Sequence, residues 1–205
     1  TGPTTNRGNT PTTVDFLDGA ADLPNPDPDS NTAILLSHLY QFFGSLLGCT
    51  TAGFPPYDGD PDMLRVHKFM VITQEQNDFF INQVEKSAYS FGVSNDDVTA
   101  IAVFLDTTFN TRCPPLVTED DGLPSILIGT NTSICQADSC PLAVDSPCAN
   151  TTVPTAPVAA PVASPTPVPA ANDTFCVKYT KQVFGNDTAN NELALITAVV
   201  NRAVL

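Results

Sequence analysis

Several residue types are scarce in this 205-residue chain. It has no Trp, 2 Met and 2 His, and its 8 Lys plus Arg face 22 Asp plus Glu, a formal net charge of −14. A chain this poor in cations repels phosphate backbones, so nucleic acid is not expected as a partner, and anionic membrane surfaces are disfavoured for the same reason. No run of about 18 apolar residues occurs, so no membrane span is expected. Charged residues make up 15 % and hydrophobic residues 42 %. That permits a core within a largely neutral polar surface, over a length of one ordinary domain plus extras. The first residues, Thr1-Gly2-Pro3-Thr4-Thr5, lack Met and a signal peptide and read as a mature or internal start. No Gly-rich phosphate loop, no Gly-x-Ser-x-Gly and no Cys-x-x-Cys-His is present. Enzymatic activity is therefore not the favoured expectation.

What is abundant points to an oxidising compartment. The six cysteines are Cys49, Cys113, Cys135, Cys140, Cys148 and Cys176. An even count in a loop-rich chain suggests three disulfides, in one of about 15 pairings. Zinc ligation is the alternative, but no histidine lies near Cys135 and Cys140 and no second pair has finger-like spacing. Asn-x-Ser/Thr sequons begin at Asn131, Asn150, Asn172 and Asn186. Together these features resemble an extracellular, secreted eukaryotic glycoprotein.

The chain divides unevenly. Residues 1–32 are rich in Thr, Asn, Asp and Pro, with an apolar island at Val14-Asp15-Phe16-Leu17. Residues 33–112 carry the strongest helical periodicity, and residues 113–150 form a Cys-rich loop segment. Residues 151–172 alternate Pro with Ala, Val and Thr and read as a polyproline-like linker. Residues 173–205 become helical again. The expected fold class is mainly α.

The periodicity predicts a helix over 33–47, capped by Asn31 or Thr32, with Leu35, Leu39, Phe42 and Leu46 on its apolar face. A short helix over 61–67 is expected with Asp60 as cap and Pro61 in the first position. Thr73 and Gln76 form a capping box for 74–91, whose stripe is Phe80, Val84, Ala88 and Phe91. Ser94 caps 95–109, with Val98, Ile101, Ala102, Leu105 and Phe109 inward. A last helix spans 191–205, with Leu193, Ile196, Val200 and Val204 on one face. The best strand candidate is Ser125-Ile126-Leu127-Ile128. The acidic run Glu119-Asp120-Asp121 and the pair Asp96-Asp97 read as solvated loops or caps. The alternating Asp58, Asp60 and Asp62 lack the Gly and Glu of a calcium loop.

His38 and His67 both sit beside apolar residues. The plain expectation is that each hydrogen-bonds a backbone carbonyl. An iron porphyrin would account for both at once, because it needs axial imidazoles and an apolar enclosure.

Residues 54–105 resemble the second half of a truncated haemoglobin. The carrying residues are Phe54-Pro55-Pro56-Tyr57-Asp58-Gly59, Met63-Leu64-Arg65-Val66-His67, Ile72-Thr73 and Phe91-Gly92-Val93. The resemblance implies a globin-like domain holding non-covalent haem b, with His67 as proximal iron ligand. His38-Leu39-Tyr40-Gln41-Phe42-Phe43 resembles the distal helix, which implies His38 as second ligand. It further implies that Leu35, Leu39, Phe42, Tyr57, Phe69, Phe80 and Val84 line the haem. The helices that open that family are similar to residues 178–205 (Lys178-Tyr179, Phe184-Gly185 and Ala198 to Leu205), and Val14 to Gly19 resembles what normally follows. The order is thus cyclically permuted. Residues 173–205 are then expected to fold back or to complete the next copy in a head-to-tail filament. The linker reaches about 60 Å, at about 3.1 Å per residue. Electron transfer is the leading functional expectation. The alternatives are reversible gas-ligand or nitric-oxide binding and a haem-free structural fibre.

Overall fold

The computed structural model describes residues 4–7, 10–13, 31–144, 146–148 and 174–204. The apolar island at Val14, the linker 151–172, and the sequons at Asn150 and Asn172 lie outside the described residues. The protein is mainly helical, and its described residues fall into two compact units.

The first unit joins residues up to Gly59 with residues from Asp173 onward. It contains a hairpin, β1 (Thr4–Arg7) and β2 (Thr10–Thr13), paired antiparallel. This hairpin was not foreseen in a Thr- and Pro-rich segment without apolar alternation. Helix α1 spans Asn31–Leu46. Asn31 and Thr32 are thus helical and not caps. Two further helices, α5 (Phe175–Phe184) and α6 (Ala189–Val204), come from the other end of the chain. Thr174 caps α5 by accepting from the Val177 N–H, and Gly185 ends it in the left-handed region at φ +81°.

The junction of α1 with α5 is closely tied. Cys49 and Cys176 form a disulfide. The Cys176 N–H donates to the Leu47 carbonyl at 3.1 Å, and the Thr174 hydroxyl donates to Gly48 O at 2.8 Å. Beyond it, Glu192 of α6 is fully buried and accepts from both the N–H and the hydroxyl of Thr51, at 3.1 and 2.9 Å. Tyr40 of α1 donates to Asn201 of α6 at 2.6 Å. Burial raises the Tyr40 pKa, and the bond to Asn201 partly opposes this.

The core of this unit includes Leu36, Phe42, Phe43, Tyr179, Leu195, Ile196, Val199, Val200 and Ala203. The α1 and α6 faces differ from the expected stripes by about one position. Helix α6 packs on both α1 and α5, so its buried surface is broader than a single 3.6-residue stripe. Leu35, Leu39 and Val204 are accordingly half-buried around Leu36.

The second unit runs from Asp60 to Asn172. It holds α2 (Met63–His67), α3 (Gln74–Ser90) and α4 (Asn95–Phe109). The capping box of Thr73 with Gln76 and the Ser94 cap are present as the sequence indicates. Asn77 Nδ2 donates to Asn110 Oδ1 at 3.2 Å, and Asn110 Nδ2 donates to Asp78 Oδ1 at 2.5 Å. These bonds fasten the start of α3 to the end of α4, so the two helices form an antiparallel hairpin. Ile81, Val84, Ala88, Val98, Ile101, Leu105 and Phe109 are buried there.

The short helix differs from expectation. It begins at Met63, and Asp62 is its cap, accepting from the Arg65 N–H at 2.8 Å. Asp60 instead pairs with the Arg65 guanidinium, whose hydrogen bonds hold its carboxyl below the usual range. The segment after α4 is loop, closed by Cys113–Cys148 and Cys135–Cys140. Ser125–Leu127 is a 3-10 turn and not a strand. Pro124 and the left-handed Gly129 (φ +77°) bound the run, and only Leu127 within it is buried.

Candidate functional site

His67 occupies the last turn of α2. A carbonyl can only accept, so His67 Nδ1 carries the proton and donates to Met63 O, four residues back, at 2.9 Å. This fixes the neutral tautomer with its lone pair on Nε2, which has no hydrogen-bond partner among the described residues. Burial lowers the His67 pKa, and the bond to Met63 offsets part of that. Burial outweighs that bond and favours the neutral imidazole, the form that ligates metals. The expected carbonyl bond is therefore present, yet it commits only one of the two nitrogens.

The Cys-rich loop positions this helix. Asn131 O accepts from the Leu64 N–H at 3.2 Å, and Gln136 Nε2 donates to Leu64 O at 3.5 Å. On the far side of His67, Ile72 O accepts from the N–H groups of Gln136 and Ala137 at 3.0 and 3.1 Å. Between these anchors the backbone is forced into an uncommon shape: Val71 has φ +46°, costly for a β-branched residue. Phe69, Met70 and Val71 are 53 %, 39 % and 62 % exposed, so an exposed apolar run begins just past Lys68, two residues after His67. Phe80 is half-buried and Val84 lies in the α3–α4 core.

His38 lies in the first unit, on α1. Its Nε2 is 3.5 Å from Asp58 Oδ1, and its ring meets the edge of Tyr57 at 5.8 Å between centroids. Tyr57 in turn packs on Phe42 at 5.2 Å. Gln41 holds the same loop, its Oε1 accepting from the Asp58 N–H at 3.1 Å and its Nε2 donating to Ser37 Oγ at 3.2 Å. Three expected residues, His38, Phe42 and Tyr57, thus form one cluster of edge-on rings. A ring nitrogen facing a carboxylate leaves the other available to a metal, the arrangement common around metal-bound histidines.

Both histidines therefore fit an iron porphyrin in donor chemistry, each with one nitrogen directed at an oxygen acceptor. Met63, Asn131, Gln136, Gln41 and Asp58 were not singled out by sequence reasoning for these contacts. The Met63 contact follows from helix spacing alone, while the loop contacts span up to 72 residues and carry no local signal.

Other groupings have structural explanations. Cys49, Cys176 and Glu192 bring their donor atoms within 4.8 Å, but the two sulfurs are bonded to each other. Asp60 and Asp62 are committed to Arg65 and to the α2 cap. Asp121 accepts from Thr118, and Asp97 from Ser94. No helix among the described residues is long and apolar enough to cross a membrane. Comparison with protein-family models, curated proteins and solved structures finds no match to this chain.

Proposed function

We propose that this chain is a secreted, globin-like haem protein that transfers electrons, with His67 as a residue that would hold the iron of non-covalent haem b. The observation that carries the reading is the Nδ1 bond of His67 to Met63 O at 2.9 Å. It holds the imidazole in the tautomer a metal needs, on a helix braced from both sides by the Cys-rich loop. Bound haem would supply a one-electron iron centre. The chain's part is to keep His67 neutral, to fix its ring through Met63, and to offer the apolar Phe69-Met70-Val71 run. His38 is proposed as the second ligand on the strength of the family resemblance and its pairing with Asp58. Iron held by two histidines would supply electron transfer rather than ligand storage. Three disulfides accord with an extracellular setting.

Titration of the metal-free protein with haemin tests this. One equivalent should bind with a sharp Soret band, His67→Ala should lose that binding, and His38→Ala should retain haem but become high-spin. Binding unchanged in His67→Ala would reject the assignment.

Exchange of residues 173–205 between copies, giving a head-to-tail filament, is the proposed assembly and rests on the permuted order of segments. The Cys49–Cys176 bond makes it readable. An exchanged tail would link chains covalently and give a ladder on non-reducing electrophoresis, whereas a tail closed on its own chain gives a single monomer band.

A further inference from the structure

Two Asn-x-Ser/Thr sequons, at Asn131 and Asn186, fall among the described residues, and the fold treats them oppositely. At Asn131 the side-chain amide is in use. Its Oδ1 accepts from the Ser133 N–H at 3.0 Å and its Nδ2 donates to Pro114 O at 3.4 Å. The side chain is half-buried, while Thr132 and Ser133 are 4 % and 0 % exposed. The Ser133 hydroxyl donates to Cys135 O at 2.9 Å. The Asn131 carbonyl is itself the anchor for Leu64 on the His67 helix.

Asn186 lies in the exposed turn that follows Gly185, between α5 and α6. The Asn191 amide donates to Asn186 Oδ1 at 2.6 Å and to its backbone carbonyl at 3.3 Å. Both acceptors are thereby held, and Asn186 Nδ2 has no partner among the described residues. Thr188, the hydroxyl residue of the sequon, is also exposed; its Oγ1 accepts from the Asn191 N–H at 3.3 Å.

We infer that Asn186 is an N-glycosylation site and that Asn131 is left bare. The inference rests on the secreted reading of the chain. The donor is a polyprenyl-diphosphate-linked oligosaccharide. A bond forms between Asn186 Nδ2 and the anomeric carbon, the bond from that carbon to the diphosphate oxygen breaks, and the amide gives up one proton as the polyprenyl diphosphate leaves. The fold accepts only one product without loss, so a chain carrying a glycan at Asn131 does not reach the folded, secreted product. A glycan on Asn131 must leave from a half-buried side chain beside buried Thr132 and Ser133, next to the anchor of α2. A glycan on Asn186 projects into solvent and leaves the turn's bonds to Asn191 intact.

The test is to secrete the full chain from a eukaryotic host, release N-glycans enzymatically in heavy-oxygen water, and map the labelled peptides. The expected result is label at Asn186 and none at Asn131. Asn186→Gln should remove one glycan-sized step in electrophoretic mobility, and Asn131→Gln should remove none. Label at Asn131 comparable to that at Asn186 overturns the inference. So does an unlabelled Asn186 beside a labelled Asn150 or Asn172, an outcome that leaves the secreted reading standing. No label at any of the four sequons overturns both.

Discussion

Removing the Cys49–Cys176 bond by a Cys49→Ala/Cys176→Ala double substitution should be the most damaging disulfide loss in the chain. The bond closes a span of 127 residues, against 35 for Cys113–Cys148 and 5 for Cys135–Cys140. A cross-link restrains the unfolded chain more as its loop lengthens. The chain-entropy relation gives about 5, about 4 and about 2 kcal/mol for the three at 25 °C. Ordinary domains have only about 5–15 kcal/mol in all, so the first loss alone removes a large share. Alanine suits the exchange because Cys49 and Cys176 are 5 % and 0 % exposed, and a serine hydroxyl would add the cost of an unpaired polar group. What then holds α5 to α1 is the Cys176–Leu47 backbone bond and the Thr174–Gly48 contact, each worth about 1 kcal/mol. Urea unfolding followed by circular dichroism, with limited proteolysis around residue 174, would measure this. The reasoning fails if Cys135→Ala/Cys140→Ala costs as much as Cys49→Ala/Cys176→Ala.

Three further outcomes are expected. Glu192→Ala should cost about 2 kcal/mol, because it leaves the Thr51 N–H without its acceptor while the Thr51 hydroxyl keeps Asp187, and Glu192→Gln should lose only about 1 kcal/mol by keeping an acceptor; denaturant midpoints check the gap. The lowered His67 pKa means that the unfolded chain binds the extra proton first, so stability of the metal-free protein should hold above about pH 6.5 and fall as pH drops below it, by up to about 1.4 kcal/mol per pH unit; His67→Gln should remove that contribution from the midpoint-versus-pH curve. Gly44→Ala should cost about 1–3 kcal/mol, since its Cβ would enter the Phe54 ring, and Phe54→Leu in the same chain should recover part of the loss in thermal melts.

The elements legible in the sequence were those with local chemistry at both ends. Helices α3 and α4 start at Thr73 and Ser94 because a side-chain oxygen there meets N–H groups three residues on, a signal contained in four residues. Helix α6 begins two residues before its expected start because Thr188, not a residue near Asn191, satisfies its first turn. The short helix was displaced for a similar reason: two aspartates competed for one turn, and Arg65 drew Asp60 into an ion pair, leaving Asp62 to cap. Disulfide pairing was not legible, since it depends on where the chain returns after long loops. The histidines stood out by rarity. Their supports did not, because Asn131 and Gln136 reach Leu64 across long separations and no local pattern marks that contact.

The account turns on iron at His67, and the absorption spectrum of the purified native protein, oxidised and then reduced, tests it most directly. A Soret band that sharpens on reduction, with the split visible bands of a low-spin centre, is the predicted result. Material that stays colourless in both states, and takes up no haemin when it is offered, would contradict it.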